Sequence, residues 1–195
     1  MKRQLVYYPN DILRRPAEPV REFNRAELED LAQDMREIMH QHVGMGLAAQ
    51  QVGDPRRIMV LEYIPPKDSH EQPIPFTVLI NPEIVAASKQ TDLMEEGCLS
   101  VPYVEIPIRR AKEITVSAQD MDGQPFKIKA KGLLARIVQH EMDHLNGKLI
   151  LDYDAKSAPS NEKPRVIVWG STEFTTRIMN NIRPVVTITH VATEP

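Results

Sequence analysis

The amino-acid sequence predicts an α+β fold in which antiparallel sheets are wrapped around one central helix. Residues 112–130 alternate between apolar and polar side chains about a turn at Asp122 and Gly123, which is the pattern of an antiparallel hairpin. Residues 132–146 follow with apolar side chains on both faces, so this helix is expected to lie buried. A chain of 195 residues that is 42% hydrophobic suits one compact domain with an appended segment.

An amphipathic helix is predicted earlier in the chain, over residues 25–42. Its apolar residues recur at spacings of three and four, and Asn24 and Glu27 are placed as a cap pair. His40 and His42 fall in its last turn, where positive charge meets the negative end of the helix dipole. A structural or exposed role is therefore favoured for them over metal binding.

Two β-favouring runs at 57–62 and 76–81 are predicted as strands. The proline-rich stretch between them predicts a surface loop, which contains His70. At the other end of the chain, Gly147 is placed to end the helix at 132–146 as a left-handed cap.

Composition and charge exclude several classes of function. A net charge of −3 gives no basic field that would draw the chain onto nucleic acid or an anionic membrane, so neither partner is expected. No apolar run is long enough for a signal peptide or a membrane span. The single cysteine, Cys98, excludes an internal disulfide and fits a reducing cytoplasm.

The segment "QHEMDH", residues 139–144, contains the pattern H-E-x-x-H. A helix places residues i and i+4 on one face, so His140 and His144 can bind one metal ion. Glu141 lies about 100° further round the helix, where its carboxylate can reach a metal-bound water. The pattern predicts two ligands and a general base; the alternative is a core helix whose histidines are hydrogen-bonded to backbone carbonyls.

A catalytic metal of this kind needs a third protein ligand. The longer metalloprotease pattern fails at its last position, which is Ile150, and Glu162 and Glu173 lie downstream as alternatives. Cys98, in "EEGCLSVP", offers a thiolate that suits iron or zinc, although a free cysteine is more commonly a small buried hydrophobic residue. The glycine before it and the serine and proline after it favour an irregular loop over a core strand.

The glycine-rich stretch "GMGLAAQQVG", residues 44–53, lacks the lysine of a P-loop and the spacing of a dinucleotide-binding fingerprint. It is better suited to close backbone approach to a ligand at Gly46, with a glutamine amide as a donor beside the metal. The alternative is a turn that leaves Gln50 and Gln51 on the surface.

Taken in order, "GMGLAAQQ", "EGCLS" and "QHEMDH" resemble the three motifs of the peptide deformylases, which read G-x-G-L-A-A-x-Q, E-G-C-L-S and H-E-x-D-H. Every specified position matches, and the resemblance extends to about Asp152. It implies a peptide deformylase-like catalytic domain over residues 1–153. It also implies one divalent metal ion held by Cys98, His140 and His144, normally Fe²⁺ and often Zn²⁺, Ni²⁺ or Co²⁺ after handling.

The activity that the resemblance implies is removal of the N-terminal formyl group from N-formyl-methionyl nascent polypeptides, with release of formate. The expected partner is the nascent chain at the ribosome exit. Glu141 becomes the general base and then the acid, while Gln51 and the backbone N–H of Leu99 polarise the formyl oxygen. The alternatives are a metal-dependent peptidase, which needs a different third ligand, and an inactive binding protein, which would lack a ligand or the base.

An apolar slot for methionine is expected beside the metal. Met45, Val101 and Ile137 are predicted to line it, because Ile137 lies one helical turn before a predicted ligand on the same face. Asp143, which the family motif also matches, is expected to orient a neighbouring side chain or backbone group.

The last part of the chain departs from the family pattern. Residues 154–164 are predicted to be a linker, and residues 165–195 a βαβ-like tail in place of the charged helix that ends many bacterial deformylases. The run 165–174, "RVIVWGSTEF", bears a short resemblance to the start of methionyl-tRNA formyltransferases, close to I-V-F-x-G-T-P-E-F, but Ser171 and Thr172 replace threonine and proline. A tail that packs on the domain or on a partner is favoured, and no transferase activity is predicted.

Overall fold

The structure, a computed structural model, describes residues 3–153, so the predicted linker and tail lie outside the described residues. The helices are α1 (Arg25–Gln41) and α2 (Gly132–Leu145), and the strands are β1 (Gly46–Ala48), β2 (Ile58–Tyr63), β3 (Ile74–Ala87), β4 (Thr91–Cys98), β5 (Val101–Ala111), β6 (Glu113–Gln119) and β7 (Pro125–Lys131). Short 3-10 helices occupy Asp11–Arg14, Ala49–Val52 and Ile150–Asp152. In this part of the chain no helix is long and apolar enough to cross a membrane.

Two antiparallel sheets form the β part of the fold. Five strands pair in the order β1-β2-β3-β6-β7, and β4 pairs with β5 alone. The α+β architecture that the sequence predicts, with antiparallel sheets and a buried helix, is confirmed. The predicted hairpin is β6 and β7, whose turn is closed by the Asp120 carboxylate accepting from the backbone N–H groups of Asp122 and Gln124.

Strand β2 lies at the centre of the core because both of its faces are covered. Ile58 and Val60 pack against α1, while Met59 and Leu61 pack with α2 in a second apolar cluster. Side chains alternate between the faces of a strand, so burial of both faces requires the continuous apolar run found here. The sheet thereby lies between α1 and α2, and α2 lies between the sheet and the β4–β5 pair.

Helix α1 begins as the sequence predicts. The Asn24 side chain accepts from the backbone N–H of Glu27, and its amide donates to the Glu27 carboxylate at 3.0 Å. The first contact satisfies a backbone N–H that an uncapped helix would leave without a partner, and the second holds the capping side chain in place. Near the other end, His40 lies 2.8 Å from Glu62 in an ion-pair arrangement, which supports the structural role predicted for it.

The prediction of an irregular loop around Cys98 is wrong, because the connection between the two strands is only two residues long. Cys98 is the last residue of β4, and only Leu99 and Ser100 separate it from β5. The register shifts between Gly97 and Cys98, so the irregularity lies inside a strand pair. Strand β4 was not predicted because most of its side chains are exposed and polar, which removes the apolar alternation that marks a half-buried strand.

Gly147 ends α2 as predicted, with φ of +74°. The backbone N–H of Lys148 donates to the Asp143 carbonyl at 2.8 Å, and that of Gly147 to the His144 carbonyl at 2.9 Å. This pair of bonds defines the Schellman motif, which requires a left-handed residue. A Cβ atom at Gly147 would lie 2.5 Å from the Arg14 carbonyl oxygen.

Gly147→Ala is therefore expected to lower the free energy of unfolding by more than the roughly 1–2 kcal/mol of left-handed strain alone. Gly132→Ala is the matched control, because Gly132 also has a positive φ, +55°, but a Cβ there meets nothing within 4 Å. Urea denaturation of both variants separates strain from the steric clash. Equal losses of stability would show that the contact with Arg14 contributes nothing.

Candidate active site

A cleft of about 970 Å³ opens between α2 and the β4–β5 pair. Its walls are residues 42–46, residues 94–99, residues 102–105, and the face of α2 that carries Leu133, Arg136, Ile137, His140 and Glu141. The glycine-rich stretch, the cysteine motif and the H-E-x-x-H helix therefore converge on one cleft, although 38 or more residues separate each from the next in the chain.

The three predicted metal ligands lie together, with Cys98 and His140 at the wall of this cleft and His144 buried beside them. The ligand atoms of Cys98, His140 and His144 are all within 4.8 Å of one another, and the Cys98 Sγ lies 3.2 Å from the His144 Nε2. One helical turn brings the two histidines together, and the end of β4 supplies the thiol. A thiolate with two imidazoles is a donor set that fits iron or zinc, with room for one more ligand.

The two histidines lie in different electrostatic surroundings. Burial and the neighbouring charge of His140 hold the pKa of His144 well below its usual value, so its ring is neutral, the form that binds a metal. Burial alone would lower the pKa of His140, but hydrogen bonds to Cys98 and Glu96 raise it well above the usual value. Binding of a metal ion would therefore release a proton from this cluster.

Glu96 orients His140, a contact that the sequence did not reveal. One Glu96 oxygen lies 3.0 Å from the His140 Nδ1, which leaves Nε2 for a metal. The carboxylate also accepts from Arg110 at 2.8 and 2.9 Å and from Arg136 at 2.6 Å. Burial opposes its ionisation, yet the hydrogen bonds with Arg110 and His140 bring the pKa of Glu96 to about 2. Two buried arginines thus hold an ionised carboxylate against a ligand.

Glu141 points into the cleft beside the ligands. It is 3% exposed, and its Oε2 has no hydrogen-bond partner among residues 3–153. Burial raises the pKa of Glu141 to about 7, the range in which a carboxylate can both accept and return a proton near neutral pH. Gly46 makes room for it, because a Cβ atom there would lie 2.6 Å from the Glu141 Oε1 and 2.8 Å from the Ile137 Cγ2.

Gln51 lies beside the thiol, which excludes the alternative of a surface turn. It is 1% exposed, and its Oε1 accepts from the backbone N–H of Ala48 at 2.9 Å. This contact directs the amide N–H₂ group toward the Ser100 Oγ at 3.1 Å and the Cys98 Sγ at 3.9 Å. The stretch thus presents a fixed neutral donor beside the ligand cluster.

Gln50 is also buried, but it serves the helix rather than the cleft. Its amide donates to the backbone carbonyls of Arg15 and His144, each at 2.8 Å. Adjacent glutamines therefore have separate roles: Gln51 faces the cleft, and Gln50 fixes the last turn of α2.

The predicted pocket residues divide into two groups. Met45, Gly46, Leu99 and Ile137 line the cleft. Val101 is not among the lining residues; it is 1% exposed and belongs with Cys98 to a separate apolar cluster. The expectation that Val101 lines an apolar slot is therefore not matched by its position. The sequence had not singled out Leu133, which lines the cleft instead.

The other candidate ligands do not join the cluster. Among the described residues, only Cys98, His140 and His144 form a group that could hold a metal ion. His42 lies at the wall of the cleft, outside that group. Glu162 and Glu173 are outside the described residues.

Comparison with known proteins agrees with this geometry. Residues 2–160 match the family model described as polypeptide deformylase. A peptide deformylase from Dictyoglomus thermophilum is 48% identical over 152 residues, which are 78% of this chain and 92% of that protein.

Two solved structures are also similar. The crystal structure of a peptide deformylase from Legionella pneumophila has 35% identity and a TM-score of 0.70, with 94% of this chain and 95% of that chain covered. The Met-Ala-Ser-bound structure of a class I type b peptide deformylase from Acinetobacter baumannii has 35% identity and a TM-score of 0.71, with 77% and 98% covered. The chain belongs to the polypeptide deformylase family, metal-dependent hydrolases that remove the N-terminal formyl group from nascent polypeptides.

Proposed function

We propose that this chain deformylates formyl-methionyl peptides with one Fe²⁺ ion held by Cys98, His140 and His144. The observation that carries the proposal is the convergence of these three ligand atoms within 4.8 Å, directly beside the buried carboxylate of Glu141. A bound ion would lower the pKa of a water molecule toward neutrality, so that hydroxide is available for attack on the formyl carbon. The thiolate ligand favours iron or zinc over harder ions such as magnesium.

Glu141 is the proposed general base and acid. Its carboxylate accepts a proton from the attacking water and returns one to the amine of methionine as the C–N bond breaks, with formate as the other product. Its buried position keeps the pKa near 7, so both transfers are feasible at neutral pH. Its Oε2, which has no partner among residues 3–153, can make the required hydrogen bond without breaking one to another described residue.

Gln51 and the backbone N–H of Leu99 are the proposed donors to the formyl oxygen. The contact between Gln51 and Ala48 fixes the amide before substrate arrives, so little reorganisation is needed as negative charge develops. Loss of one such donor typically lowers kcat by about 10²–10³-fold.

The cleft also suits the rest of the substrate. Met45, Gly46 and Ile137 form a wall that can receive an apolar methionine side chain. The related Acinetobacter baumannii enzyme holds Met-Ala-Ser in its structure, which supports a peptide that begins with methionine. We place the reaction in the cytoplasm, on nascent chains at the ribosome exit, and the net charge of −3 gives no support for binding to nucleic acid.

Cys98→Ala tests the ligand set. We expect the variant to fold, because Cys98 is replaced by another small apolar residue, but to lose bound iron and formate release together. His42→Ala is the control, since His42 lies on the cleft wall outside the ligand group. Metal content after anaerobic loading and formate release from a formyl-methionyl peptide are the measurements. A Cys98→Ala protein that keeps both would contradict the proposed ligand set, because another residue would then be the third ligand.

A further inference from the structure

Tyr153 is hydrogen-bonded to Arg110 and Asp143 close to the metal ligands, although none of the three sequence motifs includes it. It follows the short 3-10 helix Ile150–Asp152 and lies next to the metal-binding helix. Its hydroxyl donates to the Asp143 Oδ2 at 2.6 Å and accepts from the Arg110 Nη1 at 2.6 Å. The guanidinium carbon of Arg110 lies 4.9 Å from the centre of its ring. Nothing in the proposed chemistry requires these contacts.

Arg110 links Tyr153 to the first histidine. Its Nε and Nη2 donate to the two oxygens of Glu96, which in turn lies 3.0 Å from the His140 Nδ1. A guanidinium is planar, so holding its Nη1 also fixes the plane of the edge that faces Glu96. The position of Tyr153 therefore bears on the orientation of a ligand ring, three contacts away.

Asp143 provides a second link, to the other histidine. It directly precedes His144 in α2, and its Oδ2 accepts from both Arg110, at 2.6 Å, and Tyr153. The three side chains form a closed triangle that joins β5, α2 and the segment after α2. Arg110 is 6% exposed, so an N–H left without its hydroxyl acceptor would be buried, which is costly.

We propose that Tyr153 is a positioning residue for the metal site. Its hydroxyl holds Arg110 and Asp143 in place, Arg110 holds Glu96, and Glu96 fixes the ring of His140 for metal binding. The inference rests on the proposed ligand set and adds a residue to it that touches neither metal nor substrate. It predicts that retention of the metal depends on a hydroxyl group outside all three sequence motifs.

Tyr153→Phe tests the proposal in the full chain, because it removes the hydroxyl and keeps the ring. Changes to groups that orient metal-bound histidines typically cost about 10–100-fold in metal affinity, and we expect the lower end, a roughly tenfold faster loss of cobalt to a chelator at 25 °C. The visible absorption of the cobalt-loaded protein is expected to shift as the ligand geometry relaxes. Tyr8→Phe is the matched control, because Tyr8 packs against the same apolar cluster and also faces an arginine, Arg14.

The outcomes distinguish this inference from the proposed function. Faster cobalt loss and an altered spectrum in Tyr153→Phe, with Tyr8→Phe unchanged, would support a positioning role. A lower melting temperature with the parent's spectrum and rate of cobalt loss would show a merely structural role and overturn the inference. A parent that binds no cobalt at all would instead contradict the ligand set itself.

Discussion

Glu141→Ala is expected to abolish formate release while the protein keeps its metal. Among the described residues, Glu141 is a buried carboxylate beside the ligand cluster and is not itself part of that cluster. General acid–base catalysis contributes about 10²–10⁴-fold, and here one group performs both proton transfers, so a loss at the upper end is expected. Formate release under single-turnover conditions and metal content on the same sample are the measurements.

Glu141→Gln is the matched control for shape, since it keeps the size of the side chain and removes the base. We expect it to be as inactive as the alanine variant and to bind the same amount of metal. A rate within tenfold of the parent in either variant would mean that another group takes the proton. If metal content fell in proportion to the rate, Glu141 would have to be assigned as a metal ligand and not as the general base.

Gly46→Ala is expected to have the second largest effect. The added Cβ would lie 2.6 Å from the Glu141 Oε1 and 2.8 Å from the Ile137 Cγ2, distances that force the base or the helix to shift. Displacement of a catalytic group by about 1 Å can cost 10²-fold in rate. Because the metal ligands are not in the clash, we expect kcat to fall while metal content stays at the level of the parent.

Gly97→Ala is the control for Gly46→Ala, because it adds a methyl group to the same cleft. Its Cβ would meet the Val104 carbonyl oxygen at 3.8 Å and the Glu105 Cγ at 3.9 Å, which are ordinary contacts. A far smaller loss of kcat is expected there. If the two variants lose activity equally, the close approach of Gly46 to Glu141 does not govern the rate.

Helical periodicity and local motifs predicted the centre of the site. The i, i+4 spacing places His140 and His144 on one face whatever surrounds the helix, and the structure brings them together with Cys98. The Schellman end of α2 at Gly147 and the cap of α1 at Asn24 also depend only on local sequence, and both are found.

The supporting network could not be predicted, because it depends on contacts between distant segments. Glu96 meets Arg136 across 40 positions and Arg110 meets Tyr153 across 43, and no periodic pattern relates such pairs. Each of these side chains is charged or polar, which from sequence alone favours a solvated position. Only the paired strands β4 and β5 bring Glu96 and Arg110 to the buried side of α2.

The position of Val101 also could not be predicted from the sequence alone. Its type is right for an apolar slot, but the direction of its side chain depends on the strand pairing, whose register shifts between Gly97 and Cys98. Val101 belongs to the buried apolar cluster that also contains Leu13 and Ile106, and it does not line the cleft. Residue type indicates what a side chain can do, whereas strand register decides which way it faces.

The most direct test of the central claim is product analysis with formyl-Met-Ala-Ser and protein loaded with ferrous iron without oxygen. The proposed function predicts one formate and one free Met-Ala-Ser for each substrate consumed, with no cleavage between the amino acids. Cleavage of a peptide bond without formate would establish the peptidase alternative. Absence of turnover by a folded protein with one iron per chain would contradict the deformylase function proposed for this site.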